Sequence, residues 1–103
     1  MYKYGLHGWL KSAEGNAHVL ADIMLRAASL MKTAKGCQLY IVSTDENEKN
    51  IIWITEVWDS KEDHANSLSV EGVKELIAEA LPILDGAPEK GQELTVLGGN
   101  GIS

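Results

Sequence analysis

The stretch that most constrains the fold is IIWITEVW, residues 51–58. β-Branched and aromatic residues fill it, which is the composition of a strand. Ile52 and Ile54 alternate with Trp53 and Val57, so both faces of that strand are apolar. An antiparallel sheet with one face in water alternates apolar and polar residues more cleanly than this. One cover has to come from the chain's own helices. The other has to come from a second layer.

The flanking segments supply the rest of the sheet and its helices. In KYGLHGWL, residues 3–10, Tyr4, Leu6, Gly8 and Leu10 fall on one face and Gly5, His7 and Trp9 on the other, a strand period. Its glycines mark a weak point, a bulge or a close approach. Across residues 12–36, Val19, Leu20, Ile23, Met24, Ala27, Leu30 and Met31 form the stripe of an amphipathic helix. Asn16 or Ser12 can cap its start, and Gly36 can end it in the left-handed region. CQLYIVSTD is a second strand, with Leu39 and Ile41 on the face of Cys37 and Gln38, Tyr40 and Val42 on the other. The polar STDENEKN turns it into the third strand as a hairpin. Ser60 caps the next helix, with Asp63 at the third position. SVEGVKELIAEALPIL gives another apolar stripe, with Gly72 able to bend or break the join. DGAPEKGQ is a loop, ELTVLGG a last strand and residues 99–103 a loose tail.

The order β-α-β-β-α-β predicts an α+β, ferredoxin-like fold. It is a four-stranded antiparallel sheet with both helices on one face, a single domain over residues 1–103. The bare face then calls for a second sheet, most simply from another copy of the chain, giving a homodimer through the sheet face. Trp53 points to that face and is assigned to the interface.

Composition removes several functions. The 103 residues carry 15 acidic and 9 basic side chains, a net charge of −6, with Arg26 the sole arginine. Nucleic-acid binding rests on clustered Lys and Arg, so it is not expected. No run approaches the roughly 20 apolar residues of a membrane span. MYKYGLHGWLK lacks the pattern of a cleavable leader, so a cytoplasmic protein is expected. The single Cys37 rules out an internal disulfide and has no basic neighbour to lower its pKa, which reads as a small buried hydrophobe. His7, His18 and His64 stand singly, without metal-ligand spacing. No glycine-rich dinucleotide fingerprint is present. Neither a metal nor a cofactor is expected.

Three motifs carry a family likeness: GCQLY at 36–40, EVWDSKEDH at 56–64 and LIAEALPIL at 76–84. In this order, over nearly the whole chain, they resemble the antibiotic biosynthesis monooxygenase domains, a dimeric α+β barrel group that includes small quinol monooxygenases. The resemblance implies a cleft between the sheet and the helices of each subunit. It also implies, as in some members, oxidation of quinols or polycyclic phenols by molecular oxygen without metal or flavin. Members often carry a His nine residues after the junction Trp, where this chain has Ser67. That departure weakens any proton-transfer role borrowed from the family. The haem-degrading branch has a Trp near that place and a His further along. Ser67 and Ile77 stand there instead, against haem degradation.

The candidate site residues follow from the junction. Trp58 can stack on a planar substrate or plug the core. Glu56, on its face, can accept a proton or pair locally. His64, in the first helical turn after Trp58, is either an acid–base group at a pocket mouth or a solvated surface residue. His7 on the first strand is either buried and hydrogen-bonded or part of a cavity. Tyr40 can offer a phenol hydroxyl or simply pack, Ser67 takes the place of the family His, and Met24 with Met31 can form an adaptable lid or fill core. The expected catalytic groups are His64, His7 and Glu56. Trp58, Tyr40, Ser67 and Met24 are the expected substrate contacts. The expected activity is a cofactor-independent monooxygenase acting on a quinol or polycyclic phenol. The alternatives are a non-catalytic dimer that binds a small aromatic or apolar molecule, and a stress-linked protein with no small ligand; whether the chain is an enzyme stays open.

Overall fold

The computed structural model describes residues 2–88 and 90–102. Glu89, within the expected DGAPEKGQ loop, and Ser103, at the end of the expected tail, lie outside the described residues. The strands are β1 (Lys3–Lys11), β2 (Cys37–Thr44), β3 (Ile51–Trp58) and β4 (Gln92–Val96). The helices are α1 (Ala17–Leu30), α2 (Lys61–Asn66) and α3 (Val73–Ala80). The strands form one four-stranded sheet in the order β2-β3-β1-β4, with every neighbouring pair antiparallel. This is the ferredoxin-like arrangement that the element order predicts.

The register sorts the side chains into two faces. Ile52, Ile54, Glu56 and Trp58 of β3 stand beside Leu10, Gly8, Leu6 and Tyr4 of β1. On the other side they meet Thr44, Val42, Tyr40 and Cys37 of β2. The helices cover this face: Leu20 and Ile23 of α1 and Leu76 and Ala80 of α3 bury against Ile52 and Ile54. Leu20 and Ile52 are shut off from water, which stabilises the fold by about 1.5–3 kcal/mol per side chain. A second cluster packs Met31 and Val73 on Trp58. The opposite face carries Leu39, Ile41, Trp53, Thr55, Val57, Leu94 and Val96. None of these joins either core cluster, and Ile41 and Leu94 are 46% and 49% exposed.

Several local expectations need correction. Cys37 does not share a face with Leu39. The register shifts between them, so Cys37 opposes Trp58 and packs into the helix-side core. A bulge adds one residue and inverts the alternation before it. The first helix is shorter than the 12–36 segment, running Ala17–Leu30 with a 3-10 turn at Met31–Thr33. Asn16 occupies the cap position without a side-chain cap bond, and Ser12 is instead buried in an isolated bridge to Leu84. Gly36, at φ 82°, sits directly before β2 and not at the end of the helix. The last strand stops at Val96, short of the expected 93–99 segment.

Other expectations hold. The Ser60 hydroxyl accepts from the Asp63 N–H at 3.1 Å and starts α2. Gly72, at φ 94°, breaks the second helical stretch into α2 and α3. The β1 glycines mark a close approach: a Cβ on Gly8 would lie 2.8 Å from the Gly91 Cα. Among the described residues, no helix is long and apolar enough to cross a membrane.

Candidate functional site

A cavity of about 310 Å³ opens between the sheet and the helices. Its size falls at the low end of the range for small-molecule sites. One end is polar, formed by Tyr40, Glu56, His64 and Ser67. The rest is aliphatic, with Leu10 from β1, Ile23, Met24 and Ala27 from α1, and Leu76 and Ala80 from α3. A smaller pocket of about 170 Å³ shares Leu10, Met24, Tyr40 and Glu56 and continues the hollow toward β1.

The two motifs around the β3–α2 junction build the polar end. Strand alternation brings Glu56 to the helix face, and the Ser60 cap starts α2 at once. The first turn of α2 therefore returns over the strand and sets His64 above Glu56. His64 Nε2 lies 3.6 Å from Glu56 Oε1. That is an ion-pair distance, longer than a hydrogen bond. The Trp58 indole N–H donates to the same carboxylate oxygen at 3.0 Å. The His64 ring meets the edge of Trp58 at 5.7 Å and lies 5.6 Å from Tyr4. The Ser67 hydroxyl donates back to the His64 carbonyl and steadies this turn.

Burial governs the charges. Glu56 is only 9% exposed, and desolvation pushes its pKa above the ordinary carboxylate value. The Trp58 N–H and the nearby His64 act in the opposite direction. The Tyr40 phenol is raised by burial first and by the Glu56 charge second, so it stays a proton donor. Behind His64, Tyr4 donates to Glu93 at 2.9 Å and its pKa rises to about 12, from burial and then from Glu93. Lys61 and Lys90 also hold Glu93, and its pKa falls to about 2. The result is a buried carboxylate, an imidazole and a neutral phenol facing one apolar hollow. Such a set can take a proton from a hydroxyl and hydrogen-bond the anion left behind.

The structure brings together Glu56, His64, Tyr40, Ser67 and Met24 from the sequence candidates. It does not bring His7 or Trp58 to the cavity wall. His7 lies on the opposite face, where its Nδ1 is 3.0 Å from the Thr55 hydroxyl and its ring stacks on Trp53 at 4.9 Å. The sheet itself separates it from Glu56. Trp58 is fully buried and does not line the hollow. It plugs the core and holds the Glu56 carboxylate. Most of the cavity wall, including Leu10, Ile23 and Leu76, reads in the sequence only as core stripe. The signal that sets the mouth apart is apolar residues that stay exposed: Leu68, Ile77 and Leu81. Two shallow surface grooves of about 380 and 400 Å³ have similar volume but, among the described residues, no carboxylate–imidazole pair. Among the described residues, no cluster of three His, Cys, Asp or Glu is placed to hold a metal ion.

Comparison with known proteins gives a family and a set of solved neighbours. Residues 5–79 match the model of the antibiotic biosynthesis monooxygenase family. The crystal structure of a candidate antibiotic biosynthesis monooxygenase from Chloroflexus aurantiacus is 38% identical, covers 98% of this chain and 99% of its own, and superposes with a TM-score of 0.86. A candidate antibiotic biosynthesis monooxygenase from Caulobacter crescentus, 21% identical over 93% of this chain and 91% of its own, has a TM-score of 0.83. A protein from Mycobacterium tuberculosis, 11% identical over 95% of this chain and 98% of its own, gives 0.80. At such identities the last two speak for the fold alone. No curated protein matches the chain.

Proposed function

The chain belongs to the antibiotic biosynthesis monooxygenase family, and from that premise we propose that it oxygenates a quinol or polycyclic phenol in the cavity between sheet and helices, without a dedicated cofactor. The observation that carries this reading is the buried Glu56 carboxylate paired with His64 at the polar end of an otherwise aliphatic hollow.

The substrate ring enters with its hydroxyl toward that pair. His64 Nε2 is turned to Glu56, which leaves Nδ1 to accept the phenol proton. Glu56 beneath it stabilises the imidazolium that forms. The Tyr40 hydroxyl donates to the developing oxyanion. The electron-rich anion then reacts with molecular oxygen, while the aliphatic walls keep water from the intermediate. A quinol and oxygen give a hydroxyquinone and water. One oxygen atom enters the ring and the other leaves as water, and the substrate supplies all four electrons.

The same reading includes a homodimer that covers the outer sheet face. The chain exposes 6680 Å², against roughly 5700 Å² for a compact monomer of its 11.2 kDa. The excess resembles the roughly 800 Å² that one partner gives to a standard interface.

Oxygen uptake with a panel of quinols under air tests the activity. Wild type consumes oxygen in step with quinol loss, and Glu56→Gln and His64→Ala each lower the rate about 100-fold or more. Saturable binding without oxygen uptake defeats the proposal and favours a non-catalytic binder.

A further inference from the structure

The walls of the cavity narrow the substrate further. We infer that its occupant is a neutral single-ring phenol or quinol bearing an aliphatic chain, with the ring hydroxyl at Glu56 and His64 and the chain running between α1 and α3. This rests on the quinol reading of the same site.

The shape of the lining points there first. A flat polycyclic substrate draws much of its binding from aromatic faces. Among the described residues, Tyr40 is the single Phe, Tyr or Trp on the cavity wall, with Trp58 sealed into the core beneath, and Trp9 joins it only in the smaller extension. Methyl and methylene groups from α1, α3 and β1 form the remainder. Met24 and Met31 add two thioethers that adapt to a flexible chain.

The mouth gives a second, independent observation. Leu68, Ile77 and Leu81 line it and remain 55%, 41% and 52% exposed. Three large aliphatic residues held in water at the rim of one cavity suit an occupant whose tail passes between them.

Charge gives the third. Among the described residues, no Lys or Arg lines the cavity or its extension. A carboxylate, sulfate or phosphate on the ring would be desolvated beside buried Glu56, with no Lys or Arg to meet it and His64 already paired to Glu56. Anionic aromatics are therefore excluded and neutral ones accepted.

Calorimetric titration under nitrogen reads this directly, with hydroquinone and its methyl, butyl and hexyl derivatives, 2-anthrol and 2,5-dihydroxybenzoate as probes. The chain-length series tightens about fourfold per buried methylene, the equivalent of about 0.8 kcal/mol. The dihydroxybenzoate binds more than about tenfold weaker than methylhydroquinone. Ile77→Gln, at a solvent-reaching position, weakens hexylhydroquinone more than methylhydroquinone. A flat chain-length series, 2-anthrol binding tighter than hexylhydroquinone, or an equal effect of Ile77→Gln on both derivatives overturns the inference. Because the titration excludes oxygen, it separates the two claims. Alkyl quinols that bind without later oxygen uptake defeat the oxygenase and leave the ligand class standing. Turnover of 2-anthrol without any chain preference does the reverse.

Discussion

At Glu56, burial favours the protonated carboxyl, while the Trp58 N–H and His64 favour the ionised one. Burial is the larger influence, and this fixes a sign for stability. Below the ordinary value of 4.5 the carboxyl is protonated in both folded and unfolded chains. Above it, the unfolded chain releases a proton that the folded chain still holds, so this group's contribution falls as pH rises toward the folded value. Glu56→Gln removes that penalty and keeps an acceptor for the Trp58 N–H. Urea denaturation of both proteins at pH 4 and pH 7 should show the variant gaining on wild type at the higher pH, even as it loses activity. Equal differences at the two values would mean that desolvation does not dominate at this carboxyl. The residues of the site were only partly legible in the sequence. Glu56 and His64 could be read from the β3–α2 junction, because alternation and a Ser cap fix where both side chains go. The burial of Trp58 could not, since a strand-end aromatic reads alike as wall or plug. The placement of His7 was hidden for a different reason. Its side follows from pairing Trp9 with Trp53, a register that no single strand's alternation reveals.

Among the elements, the start of β2 and the first turn of α2 are locked together at one glycine. Gly36 lies at φ 82°, its carbonyl accepts from the Asp59 N–H at 2.8 Å, and a Cβ there would run into the Asp63 carboxylate. Asp63 is buried in the turn that carries His64. Gly36→Ala should therefore cost at least about 1–2 kcal/mol from the backbone alone, measured by urea unfolding, and should displace His64 from Glu56. A loss under about 0.5 kcal/mol would show that the turn yields freely. The elements themselves were legible wherever period and punctuation agreed: three long strands, the α1 stripe and the Gly72 break. The bulge after Cys37 was not, because one inserted residue leaves no mark in composition while it inverts a face. The end of β4 was missed for a related reason. Leu97 continues the apolar pattern but is 74% exposed and, among the described residues, pairs with no strand.

For the whole molecule, the sheet divides the chain into two working sides. The helix side holds the cavity. The outer side holds Leu39, Ile41, Leu94, Val96 and Trp53, interrupted by the polar row Thr55, His7 and Gln92, a largely apolar face of the kind that marks an interaction surface. The double-sided apolar pattern of IIWITEVW already demanded a cover for both. Sedimentation at micromolar concentration should give twice the chain mass, and Ile41→Glu, on a side chain 46% exposed, should shift it toward the single chain. A wild-type monomer at that concentration would remove the homodimer and leave the cavity untouched.

The central claim is that this cavity inserts oxygen into a phenolic ring through Glu56 and His64. A single turnover of an alkyl hydroquinone under ¹⁸O₂, read by mass spectrometry of the product, tests it most directly. The account predicts one ¹⁸O atom in the quinone from wild type and loss of labelled product with Glu56→Gln and with His64→Ala. A product without label, or label that persists in both variants, would contradict it.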